Sequence, residues 1–138
     1  MKHPLLRVAA RWLLAVSLVG VGVTHFTGPG PYMEIMPPPL APWALELVYV
    51  SGFFEILGGL GLLWPRTRTL AGWGVLALLV AVFPANIYMA THGVGFAGME
   101  PNPAALWLRL PLQFVLMAVA WWVSRPEPAA DDQAPEGT

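Results

Sequence analysis

The stretch that decides the fold is residues 43–64, WALELVYVSGFFEILGGLGLLW. A helix that crosses a bilayer needs about 20 mostly apolar residues, and this stretch is long enough and apolar enough to be one. Its two carboxylates differ in position, because Glu46 lies near the start and Glu55 near the middle. The stretch therefore predicts a transmembrane helix that carries one acidic group at membrane depth.

Three further stretches have the same character, and segments rich in proline and glycine separate them. The predicted spans are about 6–26, 43–64, 70–91 and 104–123. The whole chain is 57% hydrophobic and 11% charged, whereas soluble domains carry about 25% charged residues. This composition excludes an ordinary soluble enzyme domain, and the net charge of −1 provides no basic surface for nucleic acid. We predict an all-α, integral membrane four-helix bundle with antiparallel helices.

The positions of the basic residues predict the orientation. They are Lys2, Arg7, Arg11, Arg66, Arg68 and Arg125. The first three precede or enter the first span, the next two lie between the second and third, and the last follows the fourth, whereas the other two loops hold none. The positive-inside rule then predicts that both termini are cytoplasmic, in a multi-pass protein of the inner membrane. A cleaved signal peptide is the alternative for the first span, but no small-x-small cleavage site follows it.

Two segments outside the spans carry further expectations. Residues 1–124 are predicted to form the four-helix domain, and residues 125–138, rich in acids and proline, a disordered tail. In the loop 27–42, the prolines at 37–39 and 42 predict extended polyproline geometry. We expect this loop to cap the outer end of the helices, with Ile35 and Met36 turned toward them.

Small residues recur on the predicted spans and indicate where helices pack closely. The second span has the clearest stripe, with Ser51, Gly52, Gly58 and Gly59 on the same face as Glu55. The other small residues of this kind are Ser17, Gly20 and Gly22 in the first span, and Gly72 and Gly74 in the third.

Polar residues inside the spans are candidates for a site, because ionisable groups at membrane depth are costly. Glu55 lies about 18 Å from the outer end of its span at 1.5 Å per residue. It is either a neutral acid that donates one interhelical hydrogen bond or a charged group with a partner. Arg109, which Gln113 follows one turn later, either extends to the outer headgroups or turns inward to pair with Glu55 or Glu46.

The remaining candidates lie nearer the outer ends of the spans. Pro84 kinks its helix, which places Asn86 and Tyr88 either as structural groups or as groups that face inward. His25 and His92 end two spans. Two histidines on different helices can hold a haem, but the more common role of a histidine at a helix end is contact with headgroups and water, which we favour here. The proposed buried polar or ligand-binding cluster is His25, Glu55, Asn86, Arg109 and Gln113, with Glu46 and Tyr88 as secondary members.

Several of these segments resemble the DoxX family of small four-span membrane proteins. They are residues 22–26, 32–37, 51–59, 83–86 and 109–113, so the resemblance covers about residues 12–123. It implies the same five polar residues as the family's signature. It also implies a link to redox chemistry, because some members are described as subunits of a thiosulfate:quinone oxidoreductase and others as partners of oxidative-stress proteins. The absence of cysteine from this chain argues against thiol exchange.

The sequence favours an accessory membrane protein without catalytic activity of its own, and it predicts no catalytic residue, metal or tightly held cofactor. An outward-facing polar pocket would hold a small apolar or quinone-like molecule, or a lipid, for a redox or oxidative-stress partner in the membrane. The alternatives are a membrane subunit of a quinone-linked oxidoreductase, a small transporter that works as a homo-oligomer, and a structural or assembly factor.

Overall fold

A computed structural model describes residues 3–127, and in this range the chain is helical with no strand. The elements are α1 (Pro4–Thr27), α2 (Gly30–Glu34), a 3₁₀ helix (Pro38–Trp43), α3 (Ala44–Leu63), α4 (Arg68–His92) and α5 (Pro103–Ser124). The segment Pro38–Leu63 and the helices α1, α4 and α5 are each long and apolar enough to cross a membrane. The prediction of an all-helical chain with four potential spans is therefore confirmed.

Local sequence explains where the long helices begin and end. Pro4 and Pro103 occupy first turns, where the missing N–H of proline costs nothing. The side chain of Asn102 accepts a hydrogen bond from the N–H of Ala105 (3.3 Å) and so caps α5. Gly93 ends α4 in the left-handed conformation, at φ 60°, which glycine adopts without steric cost.

Each long helix contributes one buried residue to a common core. These residues are Ala15 of α1, Leu62 of α3, Val75 of α4 and Ala120 of α5. Helix α1 contacts α3 and α5, and α4 contacts the same two helices. Large apolar side chains such as Leu13, Phe53 and Phe114 remain exposed, as expected for a protein whose outer surface faces lipid rather than water.

A close helix contact joins α1 and α3 through glycine. A Cβ atom on Gly52 would lie 2.6 Å from the Cβ of His25 and 2.9 Å from the carbonyl oxygen of Gly22, so only glycine fits. Gly59 lies equally close to the backbone of α1. The predicted small-residue stripe of α3 is thus confirmed as a packing face, whereas Gly20 and Gly74 have open space and pack against nothing.

At one end of the molecule, which we call the arginine end, basic side chains bond the last carbonyls of α3 and α5. Arg11 donates from Nε to the carbonyl of Val123 (3.0 Å), and Arg68 donates from Nε to that of Leu62 (3.0 Å). Arg7 donates to the carbonyl of Arg125. The final carbonyls of a helix lack partners within it and carry partial negative charge, so cations stabilise them.

The opposite end carries the two long loops, and here one expectation is wrong. Residues 38–43 form a 3₁₀ helix rather than polyproline geometry, because consecutive prolines also tolerate the φ values of a 3₁₀ turn. The expected inward position of Ile35 is confirmed, since it packs against Met89, Ala90 and Leu106. Of the predicted acidic tail, residues 128–138 lie outside the described residues.

Candidate functional site

The most buried ionisable pair of the spans joins α1 to α3. His25 lies in the last turn of α1, and its Nδ1 is 3.0 Å from Oε2 of Glu55, in the middle of α3. The two side chains are 8% and 13% exposed. The contact depends on Gly52, one turn before Glu55, because the backbone of α1 could not come this close to a larger residue.

The hydrogen-bond partners of His25 determine its tautomer. Nδ1 lies 2.8 Å from the carbonyl oxygen of Val21, one turn earlier in α1. A carbonyl oxygen only accepts hydrogen bonds, so Nδ1 carries a proton. The neutral ring therefore has Nε2 as its acceptor, and Oε2 of Glu55 is left beside an N–H that bonds another oxygen.

Two buried oxygens on the same face of α3 have no hydrogen-bond partner among residues 3–127. They are Oε2 of Glu55 and Oγ of Ser51, which lies one turn earlier. Buried polar atoms in proteins are almost always paired, so each orphan needs an explanation.

Aromatic rings from the loops pack on His25. Tyr32 of α2 stacks on the imidazole of His25, with ring centroids 3.9 Å apart and an angle of 18° between the planes. Its hydroxyl lies 2.7 Å from that of Thr24, and Phe96 packs against it edge to face at 5.1 Å. We call His25, Tyr32, Ser51 and Glu55 the histidine site.

A second polar pair joins α4 to α5. Asn86 donates from Nδ2 to Oε1 of Gln113 (2.6 Å), and Gln113, only 4% exposed, donates in turn to the carbonyl of Leu79. Leu79 lies next to Val80, whose carbonyl loses its helical donor because Pro84 has no N–H. The two amides therefore satisfy each other and a helix backbone, which is a structural role.

Arg109 does not join either pair. It is exposed, and the polar contact that the structure gives it is from Nη1 to the sulfur of Met89 (3.7 Å). The pairing expected between Arg109 and Glu55 is wrong for the described residues, since Glu55 lies against His25 instead. The physical reason is the arrangement of the helices side by side. Arg109 is on α5, whereas the partner of Glu55 comes from α1, which packs directly on α3.

The secondary candidates and the second histidine lie apart from the histidine site. Glu46 is exposed. Tyr88 packs on His92 with ring centroids 4.4 Å apart, and Nδ1 of His92 lies 2.9 Å from the hydroxyl of Thr91. His92 is thus occupied with its own helix, whereas His25 reaches across to a neighbouring one.

Comparison with known families gives one match. A family model described as a domain of unknown function, DUF8561, matches residues 14–124. The chain belongs to this family. No curated protein and no solved structure matches it. The DUF8561 domain includes the whole histidine site and the Asn86–Gln113 pair, but Arg7, Arg11 and Arg125 of the arginine end lie outside the matched residues.

Sequence reasoning identified His25 and Glu55 in this DUF8561 protein but not the residues that complete their surroundings. Tyr32 gave no signal of its own, because it lies in a loop whose fold over α1 is a tertiary event. For Ser51, the sequence pattern indicates only a small residue in the packing stripe of the second span. Its spacing of four residues from Glu55 was the available signal, since it places the hydroxyl and the carboxyl on one face.

Proposed function

We propose that this DUF8561 protein binds a small, largely apolar molecule with a carbonyl or hydroxyl head, such as a quinone, at the histidine site. The observation that carries the proposal is the pair of buried oxygens on Ser51 and Glu55 that lack partners among the described residues. A ligand head that accepts from the Ser51 hydroxyl and bonds the Glu55 carboxyl would satisfy both.

The chemistry of the site suits a molecule that exists in protonated and unprotonated forms. A quinone offers only acceptors, and its reduced form offers two hydroxyl donors. The carboxyl of Glu55 can donate or accept according to its protonation, and a hydroxyl such as that of Ser51 does both. The ring of Tyr32, already stacked on His25, adds an apolar surface of the kind that planar ligands use.

We propose an accessory role rather than independent catalysis. The chain contains no cysteine, so thiol exchange is not part of the proposal. The resemblance of residues 12–123 to the DoxX family supports a role beside a redox or oxidative-stress partner in the membrane, to which the bound molecule would be delivered. A second copy of the chain is an alternative partner.

We further propose that the four long helices form an antiparallel bundle with both termini on the cytoplasmic side of the inner membrane. Contacts support the alternation of direction, because Gly52 lies by Gly22 and Gly59 by Ala15. The gathering of basic residues at the arginine end supports the orientation. The histidine site would then lie toward the outer side. A cysteine introduced at Ala97 should react with an impermeant reagent added from outside, and reaction only from the cytoplasmic side would contradict this orientation.

Binding of a short-chain quinone, decylubiquinone, to the purified protein tests the proposed function. We expect it to raise the unfolding temperature in detergent, and decylbenzene, which has the same tail and no oxygen, to raise it less. Ser51→Ala should weaken quinone binding several-fold, since a good hydrogen bond contributes about 0.5–1.5 kcal/mol. Glu55→Gln changes the carboxyl at the site and should also weaken quinone binding. Its matched control is Glu46→Gln, which changes an exposed carboxylate on the same helix.

The Ser51→Ala variant also separates an effect on binding from an effect on packing. Ser51→Ala removes an unpaired buried hydroxyl, so the protein without ligand should be as stable as the original or more stable, although its quinone affinity falls. Equal shifts with decylubiquinone and decylbenzene, or unchanged affinity in both Ser51→Ala and Glu55→Gln, would contradict the proposed function.

A further inference from the structure

A groove of about 860 Å³ runs between α3 and α4, on a side of α3 other than the one that carries the histidine site. Its walls include Phe54, Leu57 and Trp64 from α3 and its end, and Leu70 and Trp73 from α4. The floor is formed largely of residues without bulky side chains, among them Gly58, Gly61 and Gly74. A Cβ atom on Gly74 would meet nothing within 4 Å, so the groove is open there.

The groove has the length of one lipid leaflet. From Phe54 to Trp64 it follows ten residues of chain, about 15 Å at 1.5 Å per residue. The hydrocarbon core of a bilayer is about 30 Å thick, so this is about half of it. The groove ends at the turn after α3, and Trp64 and Trp73 line it; tryptophan is enriched at membrane interfaces.

Two arginines stand at this end of the groove. Arg66 is exposed in the turn, between Trp64 and Thr67, which both line the groove. The guanidinium of Arg125 lies 5.1 Å from the ring centroid of Trp73, a wall of the groove, and 3.5 Å from that of Trp121. Nε and Nη2 of Arg125 are buried and have no hydrogen-bond partner in the described part of the chain, so no protein acceptor there offsets the charge of this guanidinium.

The surrounding charge is positive and only partly balanced. Glu127 is the one acidic side chain at the arginine end within residues 3–127, and its Oε1 lies 3.2 Å from Arg11 and 4.0 Å from Arg68. Within the same range neither Arg66 nor Arg125 has a carboxylate within 4.0 Å. An anion would therefore be attracted to the mouth of the groove.

We propose that the α3–α4 groove binds one acyl chain of an anionic phospholipid, whose phosphate lies between Arg66 and Arg125. The apolar walls match the acyl chain, the length matches one leaflet, and the two guanidinium charges match the charge of the phosphate. Basic pockets between transmembrane helices are known to bind anionic headgroups. The site is separate from the histidine site and does not depend on its function.

Native mass spectrometry of the full chain in detergent tests this site. Dioleoyl phosphatidylglycerol and dioleoyl phosphatidylcholine have the same acyl chains and differ in net charge. We expect the anionic phosphatidylglycerol to bind more tightly. Each arginine near an anionic lipid contributes about fivefold in affinity. The double variant Arg66→Gln with Arg125→Gln should therefore lose about 30-fold for phosphatidylglycerol and little for phosphatidylcholine.

Matched controls exist elsewhere in the chain. Arg109→Gln removes one positive charge at the other end and should keep the selectivity for phosphatidylglycerol. Gly74→Leu fills the groove, whereas Gly20→Leu places the same side chain at another open position on α1, so only the first should reduce lipid binding. Helical content by circular dichroism verifies that each variant is folded.

Three outcomes would overturn the proposal. Equal affinities for the two lipids in the unmodified protein would show that the arginines do not select the headgroup, and this comparison needs no variant. Displacement of phosphatidylglycerol by millimolar inorganic phosphate alone would identify a free anion as the occupant. Unchanged lipid binding in Gly74→Leu would place the acyl chain outside the groove.

Discussion

The histidine site and the arginine end differ in the partners that their polar groups contact. At the arginine end, Arg7, Arg11 and Arg68 bond backbone carbonyls at the ends of α3 and α5. At the histidine site, the side chains of His25 and Glu55 lie against each other inside the helix packing, and Ser51 and one oxygen of Glu55 lack partners among the described residues.

This difference has a physical origin in where helices end. Helix ends always provide unpaired carbonyls, so a long cationic side chain near one readily finds a partner. The middle of a helix provides none, because its backbone groups bond one another. A polar group at mid-span depends on a side chain from another helix, or on another molecule. The unpaired atoms of the histidine site are therefore oxygens inside the helix packing, whereas those of the arginine end, on Arg7 and Arg125, belong to long side chains near helix ends.

The largest expected effect comes from separating the histidine pair. Glu55→Leu removes the carboxyl that lies 3.0 Å from the buried Nδ1 of His25, and the loss costs at most about 3–5 kcal/mol, the figure for a fully charged buried pair. Combining it with His25→Leu should recover a large part of this loss. Unfolding free energies in detergent, arranged as a double-mutant cycle, measure the coupling.

The control for this cycle is Arg109→Leu with Glu55→Leu. Because Arg109 and Glu55 share no partner among the described residues, their effects should add to within about 0.5 kcal/mol. Strong coupling between Arg109 and Glu55, with none between His25 and Glu55, would contradict the assignment of the pair.

A large side chain at the glycine contact between α1 and α3 should come next in effect. Gly52→Leu would place atoms against Gly22 and His25, and overpacking typically costs about 1–3 kcal/mol. It should also abolish quinone binding at the histidine site, since α1 can no longer approach α3. Gly20→Leu, at an open position, is the control and should change the free energy of unfolding little; equal losses in the two variants would show that the contact is not critical.

At the arginine end, removal of a cation should cost less than the loss of the histidine pair. Arg11→Met leaves the carbonyl of Val123 without this donor, and an unsatisfied buried acceptor costs about 1–3 kcal/mol. Glu127 is 58% exposed in its side chain, so Glu127→Gln should cost only about 0.2–1 kcal/mol. Thermal unfolding of both variants measures the asymmetry, and a larger effect from Glu127→Gln would mean that the ion pair, not the carbonyl bond, holds this end together.

The smallest effect is expected at the amide pair of α4 and α5. Hydrogen bonds between transmembrane helices average about 0.6 kcal/mol, with a maximum near 1.7. Asn86→Leu should therefore destabilise the protein by about this amount and leave quinone affinity unchanged, which distinguishes this pair from the histidine site. A loss of quinone binding in Asn86→Leu would mean that the two pairs serve one ligand.

The amino-acid sequence by itself determined the number and nature of the long helices, because apolar runs of sufficient length can only be satisfied as helices in lipid. It also singled out Glu55 and His25, since ionisable groups at such positions are costly and rare. Amino-acid composition and the spacing of apolar residues are local properties of the chain, and these conclusions depend on them alone. Helix ends followed similarly from Pro103, Gly93 and their neighbours.

Only the tertiary structure decided which polar groups meet. Depth along a helix can be counted from the sequence, and depth alone favoured Arg109 as the partner of Glu55. The lateral order of the helices places α1, not α5, against the face of α3 that holds Glu55, because Gly22 and Gly52 allow those two backbones to touch. The fold of the loop that brings Tyr32 over His25 is likewise set by long-range packing, which no local pattern in the chain records.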